Sequence, residues 1–168
     1  MKHFLLIFIC CQLFFSCEDT KEFDKINPVN WKNRAVKLTD TDSLKKGQSY
    51  LSVYSEIYSI TEHRTINLTV TVSLRNISTI HDIYLLKANY YNTKGDLIRT
   101  YFQEPIALKP LETIEIIIDE KDKRGGSGAN FVFDWALKDN DHKPLFEAVM
   151  ISTSGQQGIS FTTQGVNL

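Results

Sequence analysis

A chain of 168 residues, 42% of them hydrophobic and with a formal net charge of -1, is long enough to bury one domain's core without staples. The 19 basic side chains against 20 acidic ones leave no electrostatic footprint for a nucleic acid. Its 3 cysteines all fall at or before position 17, which excludes disulfides, thiol catalysis and cysteine-bound metal from the rest of the chain.

The N-terminus opens with Met1, Lys2 and His3, a short basic start. Residues 4–15 are then apolar except for Gln12. That run is too short to span a bilayer, which takes about 20 residues, but it suits the hydrophobic region of an export signal. It ends in "LFFSC", with Ser16 just before Cys17 and the acidic Glu18 and Asp19 after it. This resembles a bacterial lipoprotein signal, in which cleavage exposes a cysteine that receives lipid. The expectation is a signal peptide over 1–16, lipidation of Cys17, and attachment to a membrane through the acyl chains. The address implied is the bacterial cell envelope, on the periplasmic or surface face of the outer membrane.

A polar tether is expected over 17–48. Its sequence after the cysteine, "EDTKEFDKINPVNWKNRAVKLTDTDSLKKGQ", mixes charges and is interrupted by Pro28, a composition that cannot collapse by itself. Trp31, Val36 and Leu38 could pin part of it to the domain.

From Tyr50 the pattern is β. Ile66, Leu68, Val70, Val72 and Leu74 alternate with Thr65, Asn67, Thr69, Thr71 and Ser73, a period of two. "IYLLKANYY" at 83–91 is apolar on both faces, as a central strand would be, and puts Tyr90 and Tyr91 on opposite sides. "NTKGD" at 92–96 reads as a turn, residues 97–102 as a strand, and "KPLE" at 109–112 as punctuation. Ile114, Ile116 and Ile118 share one face, as do Phe131, Phe133, Trp135 and Leu137. Residues 145–152 and 159–163 complete the set. No 3.6 period is sustained. The spacing predicts an all-β fold over 49–168, an antiparallel β-sandwich of immunoglobulin-like size, with a small β-barrel as the alternative.

The segment "RGGSGANFVFDW" at 124–135 carries the main chemical question. Gly125, Gly126 and Gly128 accept backbone angles that other residues avoid, and successive amides could form an anion nest. A phosphate-binding loop would need Lys and Ser or Thr opening a helix; here a strand follows. A nucleophile elbow would need Gly where Ala129 stands. Two readings stay open: a tight connection after the charge run "DEKDKR", or a recognition loop using Gly125, Gly126, Ser127, Gly128 and Asn130. A second glycine segment offers Gly155, Gln156, Gln157 and Gly158. His63, His81 and His142 lack ligand spacing, so no metal or cofactor is expected. Asp134 and Glu147 could pair as acid and base in an envelope hydrolase, with Ser127 as a nucleophile, or simply face solvent.

"VYSEIY" at 53–58, "LTVTVSLRN" at 68–76, "YY" at 90–91, "GGSGANFVFDW" at 125–135, "EAVMI" at 147–151 and "GQQGISFT" at 155–162 together resemble a bacterial domain of unknown function, number 3124. The resemblance implies an exported or lipid-anchored bacterial protein and transfers no catalytic role. It singles out Arg75, Asn76 and the two glycine segments as motif positions. Two function classes follow: a binding or assembly module presenting loops to an envelope protein, a glycan or a small ligand, and the hydrolase. The first needs no special constellation, and the fold itself does not choose between ligands.

Overall fold

The computed structural model describes residues 29–38, 43–138, 142–153 and 158–168. They form an all-β sandwich of two antiparallel sheets with a separate hairpin. The larger sheet is centred on β9 (Asn130–Leu137), flanked by β1 (Lys45–Ser52) and β5 (Ile83–Tyr91). Its edges are β12 (Val166–Asn167) beyond β1, and β6 (Leu97–Thr100) and β7 (Ile106–Leu108), both on β5. The second sheet runs β11-β10-β4-β8, with β4 at Thr69–Arg75, β8 at Thr113–Ile118, β10 at Leu145–Ser152 and β11 at Ile159–Gln164. The hairpin pairs β2 (Glu56–Ser59) with β3 (Thr61–Asn67). The two sheets do not close on each other, so the barrel alternative is not what forms.

The period-two patterns dictate the packing. In β9, Phe131, Phe133 and Trp135 are buried while Val132 and Asp134 alternate outward. In β10, Phe146, Ala148 and Met150 are buried while Val149 and Ile151 face out. The inner faces meet through an aromatic column. Phe131 stacks on Phe133 at 5.3 Å, and Phe133 on Phe146 of the opposite sheet at 4.1 Å. Tyr90 also stacks with Phe131, at 4.8 Å. Rings of this size supply much of the buried apolar area in a core.

Three expectations shift. β1 begins at Lys45, so residues 45–48, read as tether, belong to a central strand of the larger sheet. The alternating run through 65–74 is two strands, broken at Leu68, which is fully buried and sits between β3 and β4. The strand expected over 97–102 stops at Thr100. Part of the tether is also ordered against the domain. Asn30 caps a 3-10 turn, Trp31–Arg34, by accepting the Asn33 amide. Ala35 then bridges to Ile106 and the Val36 amide donates to the Pro105 carbonyl at 2.8 Å. Trp31 packs against Tyr101 and Phe102, and Arg34 holds Glu112 at 2.7 Å. This strap covers the start of the β7 edge, at Pro105 and Ile106, which would otherwise be exposed.

Asn76 ends β4 as a clamp. It is buried, its Nδ2 donates to the His81, Leu108 and Lys109 carbonyls, and its Oδ1 accepts the Ser78 amide at 2.9 Å. A buried carboxamide saturated by backbone groups fixes a corner. The motif position Asn76 is therefore architectural.

Candidate functional site

The register places the end of β1, the start of β9 and the end of β5 side by side: Ser52 faces Asn130, which faces Tyr91. In the other sheet β4 begins, β8 ends, β10 ends and β11 begins at the same level. The levels are tied across the sandwich, because Thr163 Oγ1 donates to the Ser52 carbonyl at 2.6 Å and Tyr54 meets Phe161 edge-on. One pole therefore gathers the glycine segment, the 92–96 turn and the base of the β2–β3 hairpin.

Residues 53–55 are the hub of this pole. The Val53 amide donates to the Ala129 carbonyl at 2.9 Å, and the Ser55 amide to the Gly126 carbonyl at 3.1 Å. The Ser55 carbonyl accepts the Leu68 amide at 2.9 Å, which fixes the point where the hairpin returns to the sheet. Ser55 Oγ and Tyr90 Oη share a hydrogen bond of 2.8 Å, both buried. Burial pushes the Tyr90 phenol pKa up, against the opposing effect of Ser55.

The glycines serve this junction. Gly125 is buried, and a Cβ there would overlap Tyr90 Oη and Ser55 Oγ. Gly126 has φ 73 and ψ -160, a region essentially reserved for glycine. The Gly125 carbonyl accepts both the Thr93 amide at 3.0 Å and Thr93 Oγ1 at 3.1 Å. The Gly128 amide donates to Thr93 Oγ1 at 2.9 Å. Much of the loop's hydrogen-bonding capacity is thus turned inward, toward the 92–96 turn and the hairpin base. Ser127 and Asn130 are half-buried, and Asn130 opens β9. Gly158 is exposed beside Ser152. Gly155, Gln156, Gln157 and Cys17 lie outside the described residues.

The charge run before the glycines is not uniformly solvated. Asp122, 16% exposed, accepts Arg124 Nη2 at 2.6 Å, Arg124 Nε at 2.8 Å and Arg99 Nη2 at 3.2 Å. The Arg124 hydrogen bonds, with Arg99 adding its charge, hold the Asp122 carboxyl down at about 2. A carboxyl depressed on folding contributes stability that is present above its unfolded pKa and lost as pH falls through the folded value. The difference in unfolding free energy between wild type and Asp122→Asn should therefore shrink from on the order of 2 kcal/mol near neutral pH, falling from about pH 5 and vanishing only below about pH 2. Urea titrations across that window measure it; a difference that stays constant with pH would assign Asp122 a packing role only.

The family described as "Protein of unknown function (DUF3124)" matches residues 46–168. The chain belongs to the DUF3124 family. No curated protein and no solved structure matches it. Both sheets and the hairpin fall inside this DUF3124 match except for Lys45, and the strap precedes it.

Within the DUF3124 sandwich the two carboxylates considered for hydrolysis do not converge. Asp134 lies on the outer face of the larger sheet and accepts Gln48 Nε2 at 2.7 Å. Glu147 lies on the outer face of the other sheet, with Oε2 2.9 Å from Arg75 Nε in an ion pair that lacks a well-aligned hydrogen bond. That pair is about two-fifths exposed on each side, and so contributes little to stability. The sandwich core separates the two faces, which leaves each carboxylate in a sheet-surface contact. Among the described residues no group of three or more His, Cys, Asp or Glu could hold a metal ion. Sequence reading missed Ser55, Thr93 and Asp122, each of which braces the glycine segment from elsewhere in the chain or from the charge run.

Proposed function

We propose that this chain is a bacterial envelope lipoprotein, anchored through Cys17, and that its sandwich is a binding module holding the β2–β3 hairpin out to a protein partner. One observation carries the reading. The hairpin belongs to neither sheet, its base is clamped by the glycine segment, and its tip carries two exposed apolar side chains. Tyr58 is 63% and Ile60 85% exposed, and Ile60 has φ 68. Positive φ is a genuine outlier for a β-branched residue, costing about 1–3 kcal/mol. Neither the strain nor the exposure stabilises the free domain, and both suit a side chain aimed at a partner's apolar pocket. An isolated two-stranded hairpin is marginal in water; clamping its base lowers the ordering cost of binding. The anchor reading is supported by the hydrophobic run that ends at Ser16 and Cys17.

A photo-crosslinking residue at Tyr58, in protein expressed in its native envelope, should give one discrete heterologous adduct. The same group at exposed Glu120 should not, and Ile60→Glu in the Tyr58 probe chain should abolish the adduct. Labelling equal at both positions, or insensitive to Ile60→Glu, would overturn the docking role. Cys17→Ala should separately move the protein out of the membrane fraction; retention there rejects the lipid anchor.

A further inference from the structure

A second concavity lies away from the hairpin, where the strap crosses the break between β6 and β7. Its volume is about 620 Å³, within the range of about 300–1,000 Å³ usual for small-molecule sites. Its walls are aromatic. Trp31 comes from the strap, while Tyr101 and Phe102 come from the break. Trp31 meets Phe102 at 5.2 Å and 40°, and Tyr101 at 6.5 Å and 75°. Phe102 is buried and backs the cleft, whereas Trp31 and Tyr101 keep part of their surface open. Arg99 steadies Tyr101, with Nη1 donating to the phenol oxygen at 3.3 Å and the guanidinium 5.3 Å from the ring centre.

The rim has different chemistry. Asn30, Lys32, Gln103 and Glu104 edge the cleft and are exposed. Lys32 and Glu104 cancel in charge. Asn30 uses its carbonyl oxygen on the Asn33 amide, which leaves its NH₂ as a donor, and the Gln103 carboxamide both donates and accepts.

We propose that this cleft binds a neutral saccharide. A pyranose presents an apolar C–H face and a fringe of hydroxyls. The first needs a flat ring to lie on, and the second needs paired donors and acceptors at the edge. The cleft supplies both. The balanced rim gives an anionic sugar no net attraction, and an acyl chain would have to lie under carboxamides and charges that then lose water. The locked Tyr101 and the capped strap present the walls preformed, which limits the ordering cost.

Intrinsic fluorescence tests this directly. The chain has 2 tryptophans, and the other, Trp135, is 4% exposed with its indole nitrogen donating to Ser49 Oγ. A ligand-dependent change in emission therefore reports Trp31. The full chain is titrated with chitotriose, cellotriose, maltotriose and mannotriose, with dodecanoate as the apolar comparison. A saturable change with at least one trisaccharide is expected, weakened about tenfold or more by Gln103→Ala. Because Gln103 is exposed, that variant keeps the fold; calorimetry of Trp31→Ala should show binding lost. No saturable response to any trisaccharide overturns the assignment, as does an affinity unchanged in both variants. Response to dodecanoate in place of the sugars also overturns it. None of these outcomes touches the hairpin, whose crosslink is read separately.

Discussion

Trp135→Ala should lower the stability of the domain by about 3–5 kcal/mol, the usual cost of emptying a buried large aromatic site. Trp135 stands on β9 between β1 and β5, opposite Gly47 and Leu85. Its indole lies across β1 so closely that a Cβ on Gly47 would overlap the ring. A glycine inside a strand ordinarily weakens it, and close approach by another group is one reason it is retained. The indole nitrogen also donates to Ser49 Oγ at 2.9 Å, and that hydroxyl in turn donates to Asn167 Oδ1 at 2.9 Å. Alanine would therefore open a cavity above a glycine, where no neighbouring side chain on β1 can fill it, and leave a buried acceptor short of its donor. Trp135→Phe should cost less, about 1–2 kcal/mol, since most of the ring volume remains. Urea unfolding with an unchanged denaturant slope is the measurement. A loss below about 1 kcal/mol for the alanine variant would mean that the strands close over the gap, contrary to the packing described.

The same region explains which strands could be read in the sequence. β9 and β10 were legible because each buries one face and exposes the other, so hydrophobicity alternates along the chain. β1 was not, although it is just as central. Its first residues, Lys45, Lys46, Gly47 and Gln48, offer no apolar side chain, since Gly47 makes room for an indole supplied by β9. The alternation through Leu68 misled for the opposite reason. Leu68 keeps the inward parity of Val70 and Val72, so the pattern continues unbroken while the chain leaves the hairpin and enters the sheet. Periodicity reports which face is buried, not which sheet does the burying.

The site was legible in residue type but not in partnership. Three glycines before a strand signalled unusual backbone geometry, and Gly126 has it. The identity of what crowds Gly125 could not be read, because Tyr90 arrives from β5 and Ser55 from the β1–β2 link. Asp122 looked like one charge among six. One of its partners, Arg99, comes from a distant strand that pairs with β5. The separated motifs "VYSEIY", "YY" and "GGSGANFVFDW" thus become one object in three dimensions, a brace at the foot of the hairpin.

That brace predicts an order among the three glycines. Gly125→Ala should be the most damaging, by about 2–3 kcal/mol, because the new methyl must displace a buried hydroxyl pair rather than a flexible side chain. Gly126→Ala should cost about 1–3 kcal/mol from its backbone angles, and its Cβ would also crowd Thr93 Oγ1, which holds the Gly125 carbonyl and the Gly128 amide. Gly128→Ala should cost less than about 1 kcal/mol, since its Cβ would approach only the Thr93 side chain, at 3.1 Å. The decisive control is Tyr90→Phe. Removing Oη relieves the shortest contact of a methyl at position 125, although Ser55 Oγ and Ala129 Cβ stay close, so the double variant should be less destabilised than the sum of the two single changes. Hydrogen exchange separates a local brace from a general core effect. In Gly125→Ala the amides of Ile57 and Ile66, which face each other in the hairpin, should lose protection before those of Val72 and Ala148 in the second sheet. If all of these amides lose protection together, Gly125 serves the whole sandwich and the hairpin has no brace of its own. If the double variant is merely additive, the crowding at Tyr90 Oη is not what excludes a side chain from position 125.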